Sequence, residues 1–544
     1  MATGERKTKH ERPMAMDPMK PAASGARQLS PGKAVLLPCA FIAGLAGLGL
    51  LVRLGGTRQA AVVSLSMLGA GGSLLVWAAA LYVAARRSHR TLFLEVMLVR
   101  AHWVQALTQV AIYTYWAWYV PSVRVYWPLL LAQLLFAYGF HILLTWSRRD
   151  HYALGFGPVP ITGSLNLFIL FRPEGFYWQF GIVAVAFAAK ELIRWEKDGR
   201  SAHIFNPSSF SLVVFSAVLI LTGTTDRTLG VEIASWLVHP PHIYAVLFLV
   251  SIPVQLLFGV ATMTVAAAVT TYVVGLAYFG MTGTYLFFDA YIPVAVLIGM
   301  LLLITDPSTA PRTESGRIVF GVLYGLGIMA TFALLRMADL PAFYDKLLPV
   351  PILNLLVQVI DRAAVAGKFK LVDFSKLGQK LSAAQRRAAI VGIWACAFVA
   401  ISAAKGVGDE HRGQWVPFWQ ETCQEGSDRA CEHLAVVQQN LCLAGSGWSC
   451  NELGILLVAL ELDPSEVQDA IRRGCMLEFP TACENLGRMT TGPETMESAR
   501  PLPGDLPFIL RGNKGPIRER DPNELYALAC ERGFQGTCGM RIDP

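Results

Sequence analysis

Apolar runs long enough to cross ~30 Å of hydrocarbon recur along the first 400 residues, near 34–52, 61–85, 92–119, 127–146, 176–193, 207–221, 243–258, 260–280, 289–305, 318–335 and 388–404. Weaker, proline-interrupted runs lie at 153–171 and 347–361. Basic clusters alternate with them: Arg86 to Arg90, Arg148-Arg149, Arg194 to Arg200, Arg312 with Arg317, and Arg362 through Arg387. Placing these clusters on the cytoplasmic face gives about thirteen crossings, with the N-terminus inside and the C-terminal region outside. The expected fold is all-α: a polytopic helix bundle followed by a separate C-terminal module. Its expected parts are a basic cytoplasmic tail (1–33), N-terminal spans (34–150), a second membrane region (151–365), a basic cytoplasmic linker (366–387), one last span (388–404) and an extracytoplasmic region (405–544).

Composition agrees with a membrane class, since 54% of residues are hydrophobic and 16% charged. The net charge of +7 hides two opposite parts. Residues 406–544 carry 12 Lys+Arg against 21 Asp+Glu, which leaves 34 against 18 for residues 1–405. A nucleic-acid binder would place its excess basic charge on the soluble module; here that module is acidic, so no nucleic-acid partner is expected. The apolar stretch from Ala34 lacks a small-residue cleavage site and is soon followed by a second run, so it reads as an uncleaved first helix.

Eight of the ten cysteines fall in the acidic module as four Cys-x7-Cys pairs: Cys423/Cys431, Cys442/Cys450, Cys475/Cys483 and Cys530/Cys538. Three of the four pairs have glycine at the fourth position (Gly426, Gly445, Gly533), which suits a tight turn between two helices that a disulfide would staple. Zinc is the rival ligand, but the spacing is wider than a zinc knuckle and no matching histidine set accompanies it. Disulfides in turn imply an oxidising compartment. The module resembles Sel-one-like cysteine-rich helical repeats over roughly 415–540, although steps of 19, 33 and 55 residues between copies depart from a regular array. Such repeats imply a surface for protein partners.

Two phrases place a helix breaker beside a polar residue within apolar surroundings: Phe205-Asn206-Pro207-Ser208-Ser209 and Thr305-Asp306-Pro307-Ser308-Thr309. Asn or Asp before proline reads as an N-cap with Pro at N1, so each phrase is expected to start a helix. A helix start at membrane depth offers unpaired N–H groups to an anion or an electron-rich ring; a start at the inner interface would be ordinary.

The stretch Ala189-Lys190-Glu191-Leu192 through Arg200, then Phe205-Asn206-Pro207 and Val213-Val214, resembles the RnfD/NqrB family of membrane flavoprotein subunits in ion-pumping electron-transport complexes. So do Ile304-Thr305-Asp306-Pro307-Ser308-Thr309-Ala310 with Gly316-Arg317-Ile318-Val319-Phe320-Gly321, and Asn354 to Arg362. The resemblance covers roughly 150–365. It implies two related halves, a bacterial inner-membrane location with a periplasmic C-terminal module, other membrane or periplasmic subunits as partners, and FMN or riboflavin as cofactor. Thr305 and Asp306 with Pro307, and Phe205 and Asn206 with Pro207, would frame the flavin or ion pathway. His203 would tune what binds there, and Arg317 would stand at the cytoplasmic mouth. The family attaches FMN to the threonine of a Ser-Gly-Ala-Thr phrase. This chain has only Thr222-Gly223-Thr224-Thr225, so Thr225 is the one candidate for attachment, and noncovalent flavin, or a family scaffold that has lost flavin, is expected instead.

His102 and His141 each lie within an apolar run, several residues from the same end, and could together ligate a b-type haem; a hydrogen-bonded pair needs no metal, and haem is not expected. The leading expectation is therefore an electron-transport subunit. The alternatives are a small-solute transporter on the same scaffold and a membrane-anchored adaptor.

Overall fold

The structure is a computed structural model that describes residues 26–197, 199–237, 240, 242–369, 381–407, 411–489, 492–510 and 521–541. Most of the tail 1–33 and half of the linker 366–387 lie outside the described residues. Among the described residues, seven helices are long and apolar enough to cross a membrane: Pro31–Arg53, Arg58–Arg87, Trp127–Arg149, Ala261–Thr282, Glu314–Met337, Ala342–Val365 and Ala383–Ala403. Shorter apolar helices follow the expected runs closely, at Pro207–Leu221, Ile243–Phe258 and Val294–Leu303. Thirteen crossings therefore require the short and broken segments as well as the seven long helices. Among the long ones, Ala261–Thr282 and Glu314–Met337 approach closely, because a Cβ on Gly321 would lie 2.2 Å from the Met263 carbonyl and one on Gly325 would lie 2.9 Å from that of Ala267. Glycines four residues apart are what allow two membrane helices this contact.

The described residues are mostly helical, as expected, with a few short strands besides, and two of the expected runs are corrected. Arg27–Leu29, Leu92–Val96 and His151–Leu154 form a three-stranded sheet, and Arg194–Lys197 pairs with Arg200–His203 as a hairpin. The run 92–119 is accordingly two elements, since its first residues pair with the chain that leaves Trp127–Arg149 and the helix begins only at Arg100. The run 153–171 is not one helix either. It comprises Pro158–Asn166 and then unwound chain that reaches a bridge between Phe171 and Thr228.

Unwound backbone in an apolar interior must be hydrogen-bonded by something else, and Gln179 does this, held in place by two further buried amides. Gln133 and Asn166 exchange two 2.9 Å bonds, Gln179 accepts from the Phe171 N–H at 2.9 Å, and its amide donates to the Ile169 carbonyl at 3.1 Å.

All four expected cysteine pairs are disulfides, each closed over the turn between its two partners. Cys423–Cys431, with Cα atoms 4.7 Å apart, joins Val416–Gln424 to Asp428–Ala444. Cys442–Cys450, at 4.6 Å, joins the far end of Asp428–Ala444 to Gly447–Ala459. Cys475–Cys483, at 4.5 Å, joins Pro464–Met476 to Pro480–Arg488. The fourth pair differs from the expectation of two stapled helices. Cys530–Cys538, at 4.9 Å, ties the end of Pro522–Glu531 to the residue that follows a single 3-10 turn, Gln535–Thr537. Gly426, Gly445 and Gly533 take φ of +93°, +116° and +95° in the turns. The third copy, between Cys475 and Cys483, has Glu478 in that place, at φ +61°.

The module is docked on the bundle rather than tethered beyond it. The segment after Ala261–Thr282 presents Tyr285, Phe288 and Tyr291, which share a buried cluster with Val416, Phe418 and Trp419. His411 packs against Tyr285 and Tyr291 at 4.3 and 5.1 Å, and His433 stacks on Phe288 at 4.2 Å. The Arg429 guanidinium lies 4.5 Å from the Phe288 ring and donates to the Leu286 carbonyl. Gly413 has no room for a Cβ, which would meet the Phe288 carbonyl at 2.0 Å.

Two outcomes are expected. Glu478→Gly should raise the stability of the oxidised protein by about 0.5–1 kcal/mol in thermal unfolding, because release of a left-handed L-residue exceeds the extra chain entropy of glycine. The second concerns pH. Burial, with Arg412 beside it, lowers His411 to about 4; burial, with Arg336 and Arg429 nearby, lowers His433 to about 3. Both are depressed below the free imidazole value, so their contribution is complete above pH ~6.5 and declines as pH falls toward ~4. The melting temperature should fall over that window, and His433→Gln should flatten the fall.

Candidate functional site

Proline at 307 sets the site. The C=O of Leu303 would accept from the N–H of residue 307 in a continuing α-helix, but proline has none. The helix has already widened to a π-turn over Gly299–Leu303, with Ile304 N–H reaching back to the Gly299 carbonyl at 3.4 Å, and it ends there. The orphaned Leu303 carbonyl accepts instead from the side-chain amide of Asn206 at 3.0 Å. Asn206 also caps Pro207–Leu221 through its Oδ1, which accepts from the Ser209 N–H at 3.2 Å and the Ser208 hydroxyl at 2.8 Å. Its own N–H donates to Oδ1 of Asn354 at 3.0 Å, and the Asn354 amide donates to the Thr309 carbonyl at 3.5 Å. One side chain thus starts one helix and closes the end of another.

The two phrases are not equivalent. Asn206-Pro207 starts a helix as expected, whereas Asp306-Pro307 does not. Asp306 accepts from the Ser308 N–H at 2.9 Å in a local turn, and the next helix begins at Glu314 with Thr313 as its cap. Pro311 gives the reason: a helix started at Pro307 would hold it in the second turn, where it lacks an N–H and its ring clashes with the carbonyl four residues back.

His203 and Asp306 face each other across the junction, with Nε2 of His203 3.0 Å from Asp306 Oδ2. The hairpin fixes His203, since it pairs with Arg194, which donates to the Ser201 hydroxyl at 2.9 Å. Phe205 stacks on Phe210 at 4.7 Å beside them. The Thr305 hydroxyl donates to the Leu301 carbonyl at 2.9 Å. His203, Phe205, Asn206, Pro207, Thr305, Asp306 and Pro307 therefore belong to one place.

The remaining candidates lie apart from it or beside it. Arg317 is engaged by Glu314 at 2.8 Å and the Pro311 carbonyl at 3.1 Å, away from Asn206. Thr225 opens a short turn beyond the C-terminus of Pro207–Leu221, roughly 20 Å of helix from Asn206. His141 is packed between Tyr152 and Phe187, with ring centroids at 5.3 and 4.9 Å, and its Nδ1 is buried without a partner. His102 stands near Gly157, where a Cβ would lie 3.6 Å from its Nδ1.

Sequence reasoning passed over Asn354 and Lys190 as site residues. Asn354 is a polar side chain within an apolar run, and Lys190 with Glu191 a charged pair near the end of another, which was the available signal. Lys190 lies in the last turn of Tyr177–Leu192, within electrostatic reach of Asp306, Glu191, Arg149 and Arg194.

No family model, curated protein or solved structure matches this chain.

Asn206→Ala should destabilise the protein by about 2 kcal/mol or more in thermal unfolding, since it removes a helix cap and leaves the Leu303 carbonyl buried without a donor. Asn206→Asp, which can still cap but cannot donate to Leu303, should recover only part of that loss.

Proposed function

We propose that this chain is a membrane-embedded electron-transfer subunit of the kind its sequence resembles, the RnfD/NqrB family, working at the junction between Asn206 and Asp306. The observation that carries the reading is the hydrogen-bonded meeting of the two proline-broken segments, through Asn206 with Leu303 and His203 with Asp306. These phrases are also what carries the resemblance. Broken helices that meet among apolar spans supply fixed dipoles and a titratable pair, which suits holding a charged or redox-active group in a low-dielectric interior.

On this reading flavin is held noncovalently. The short turn at Thr225 lacks the family's attachment phrase and stands a helix length from the junction. His203 and Asp306 would adjust the charge at the bound ring or pass a proton to it. The two segments correspond to the related halves expected of the family, with Asp306-Pro307 turned rather than helical. The four disulfides support an oxidising compartment for the module, hence a periplasmic face, with the bundle in a bacterial inner membrane. The aromatic docking of the module supports a partner surface held at a fixed position above the bundle.

The test is an absorption spectrum of the detergent-purified full chain, oxidised and reduced, before and after acid precipitation. The expected result is an isoalloxazine band that bleaches on reduction and leaves with the supernatant. A colourless, redox-silent protein would overturn the reading. Asp306→Asn should shift the midpoint potential of the bound flavin while leaving the band in place.

A further inference from the structure

In the cysteine module, side chains from two helices converge on a short stretch of main chain that belongs to neither. Asn485, in Pro480–Arg488, accepts from the Glu497 N–H at 2.9 Å and donates to the Glu497 carbonyl at 2.8 Å. Asn451, in Gly447–Ala459, donates to the same carbonyl at 3.2 Å and accepts from Asn485 at 2.8 Å. Two residues along, Glu452 accepts from the Ala499 N–H at 3.1 Å, and the Trp448 indole donates to the Ala499 carbonyl. Between them, the Ser498 hydroxyl donates to Glu452 at 2.6 Å.

In an extended chain the N–H and C=O of alternate residues face the same side, and this is the row that a neighbouring β-strand pairs with. Here side chains carried by helices stand in place of that strand. The following Arg500-Pro501-Leu502-Pro503 favours the extended form, because a residue before proline is kept out of the helical region. The segment's own side chains at Glu497, Ser498 and Arg500 remain exposed, while the groups that hold it lie beneath: Asn451 and Asn485 are 0% exposed and Trp448 2%. The same segment accounts for the uneven repeat. Stapled turns follow at steps of 19 and 33 residues and then 55, and the surplus before the last pair includes the chain that folds back over the two helices. Asp505 pins its far end, accepting from the Ser446 hydroxyl and the Trp448 N–H, both at 2.9 Å.

We infer that this face of the module is a groove for an extended protein segment, gripped by its main chain, and that residues 496–500 are the chain's own occupant, displaced when a partner protein supplies a matching segment. Recognition through main-chain groups gives affinity with little demand on sequence, beyond a free N–H at alternate residues. Tethering gives the resident segment a high effective concentration, so it acts as a latch that a partner must outcompete. The inference rests on the module's proposed role as a partner surface, for which it supplies the ligand class, and not on flavin.

The experiment uses the full chain in detergent, its disulfides intact, and a fluorescein-labelled peptide with the sequence of residues 495–503, read by fluorescence anisotropy. Glu497→Pro combined with Ala499→Pro removes both N–H groups that the groove holds and keeps the chain extended, so it should open the groove. The peptide should bind this opened variant saturably and the natural chain about tenfold more weakly. Asn485→Ala added to the opened variant should weaken binding about tenfold. A peptide methylated on the nitrogens that match Glu497 and Ala499 should not bind, whereas one carrying Glu497→Ala and Arg500→Ala should bind nearly as well as the original. No binding to the opened variant, equal binding to the natural chain, loss of binding by the alanine peptide, or indifference to N-methylation or to Asn485→Ala overturns the groove. Should the opened variant fail to fold, hydrogen exchange of the natural chain decides. The Glu497 and Ala499 amides should then exchange by local opening about tenfold or more faster than those of Gly447–Ala459, and equal protection would mark a fixed structural element and overturn the inference. A colourless protein that binds the peptide would end the flavin reading and leave this inference standing.

Discussion

The Leu303 carbonyl, deprived of its helical donor by Pro307, is the constraint around which the membrane region is arranged. Such an acceptor cannot be left bare among apolar side chains. The group that satisfies it is the side-chain N–H of a residue nearly one hundred positions earlier, Asn206, whose side-chain oxygen caps its own helix. This contact fixes the start of Pro207–Leu221 against the end of Val294–Leu303. Asn354 then ties both to the helix Pro349–Val365. With the breaks held together, His203 and Asp306 come into contact without further adjustment, and the local turn at Ser308 keeps Asp306 directed toward the junction.

The same rule explains the rest of the polar interior. Where the chain unwinds after Asn166, Gln179 supplies the missing partners, braced by Gln133 and Asn166. Where a charge stands near the junction, a countercharge stands beside it, as with Glu191 and Arg149 or Asp306 and His203. At the other end of the molecule the governing term is different. There a cluster of rings, with two histidines held neutral by burial, joins the disulfide-linked helices to the segment around Phe288. Apolar burial fixes the module in place, and the disulfides limit how far its helices can separate.

Much of this could be read from the chain, because composition and spacing are local properties. The apolar runs marked the long helices, often to within a few residues, since the thickness of hydrocarbon sets their length. The equal spacing of eight cysteines identified the stapled turns, because a bridge that short can only close over the turn it spans. That spacing was the same at Cys530 and Cys538 as elsewhere, so it did not reveal that the last pair closes on a 3-10 turn instead of a second helix. Asn206 was recognisable as a cap, whereas Asp306 carried the same signal and opens a local turn instead. What the runs concealed was where helix gives way to other backbone. The strands at Leu92–Val96 and His151–Leu154 exist because they pair with each other, and the unwinding after Asn166 is permitted only by distant amides.

The sequence by itself therefore determined the membrane class, the positions of the breaks and the pattern of disulfides, since proline, apolar length and cysteine spacing act within a few residues of themselves. Tertiary structure alone decided which donor answers the Leu303 carbonyl, that Asp306 opens a turn and meets His203, that Asn354 joins them, and that the cysteine module is seated on Phe288. Each of these depends on groups far apart along the chain. Their pairing is dictated by the cost of an unsatisfied polar group in an apolar interior, a cost that has no value until the fold determines what lies next to it.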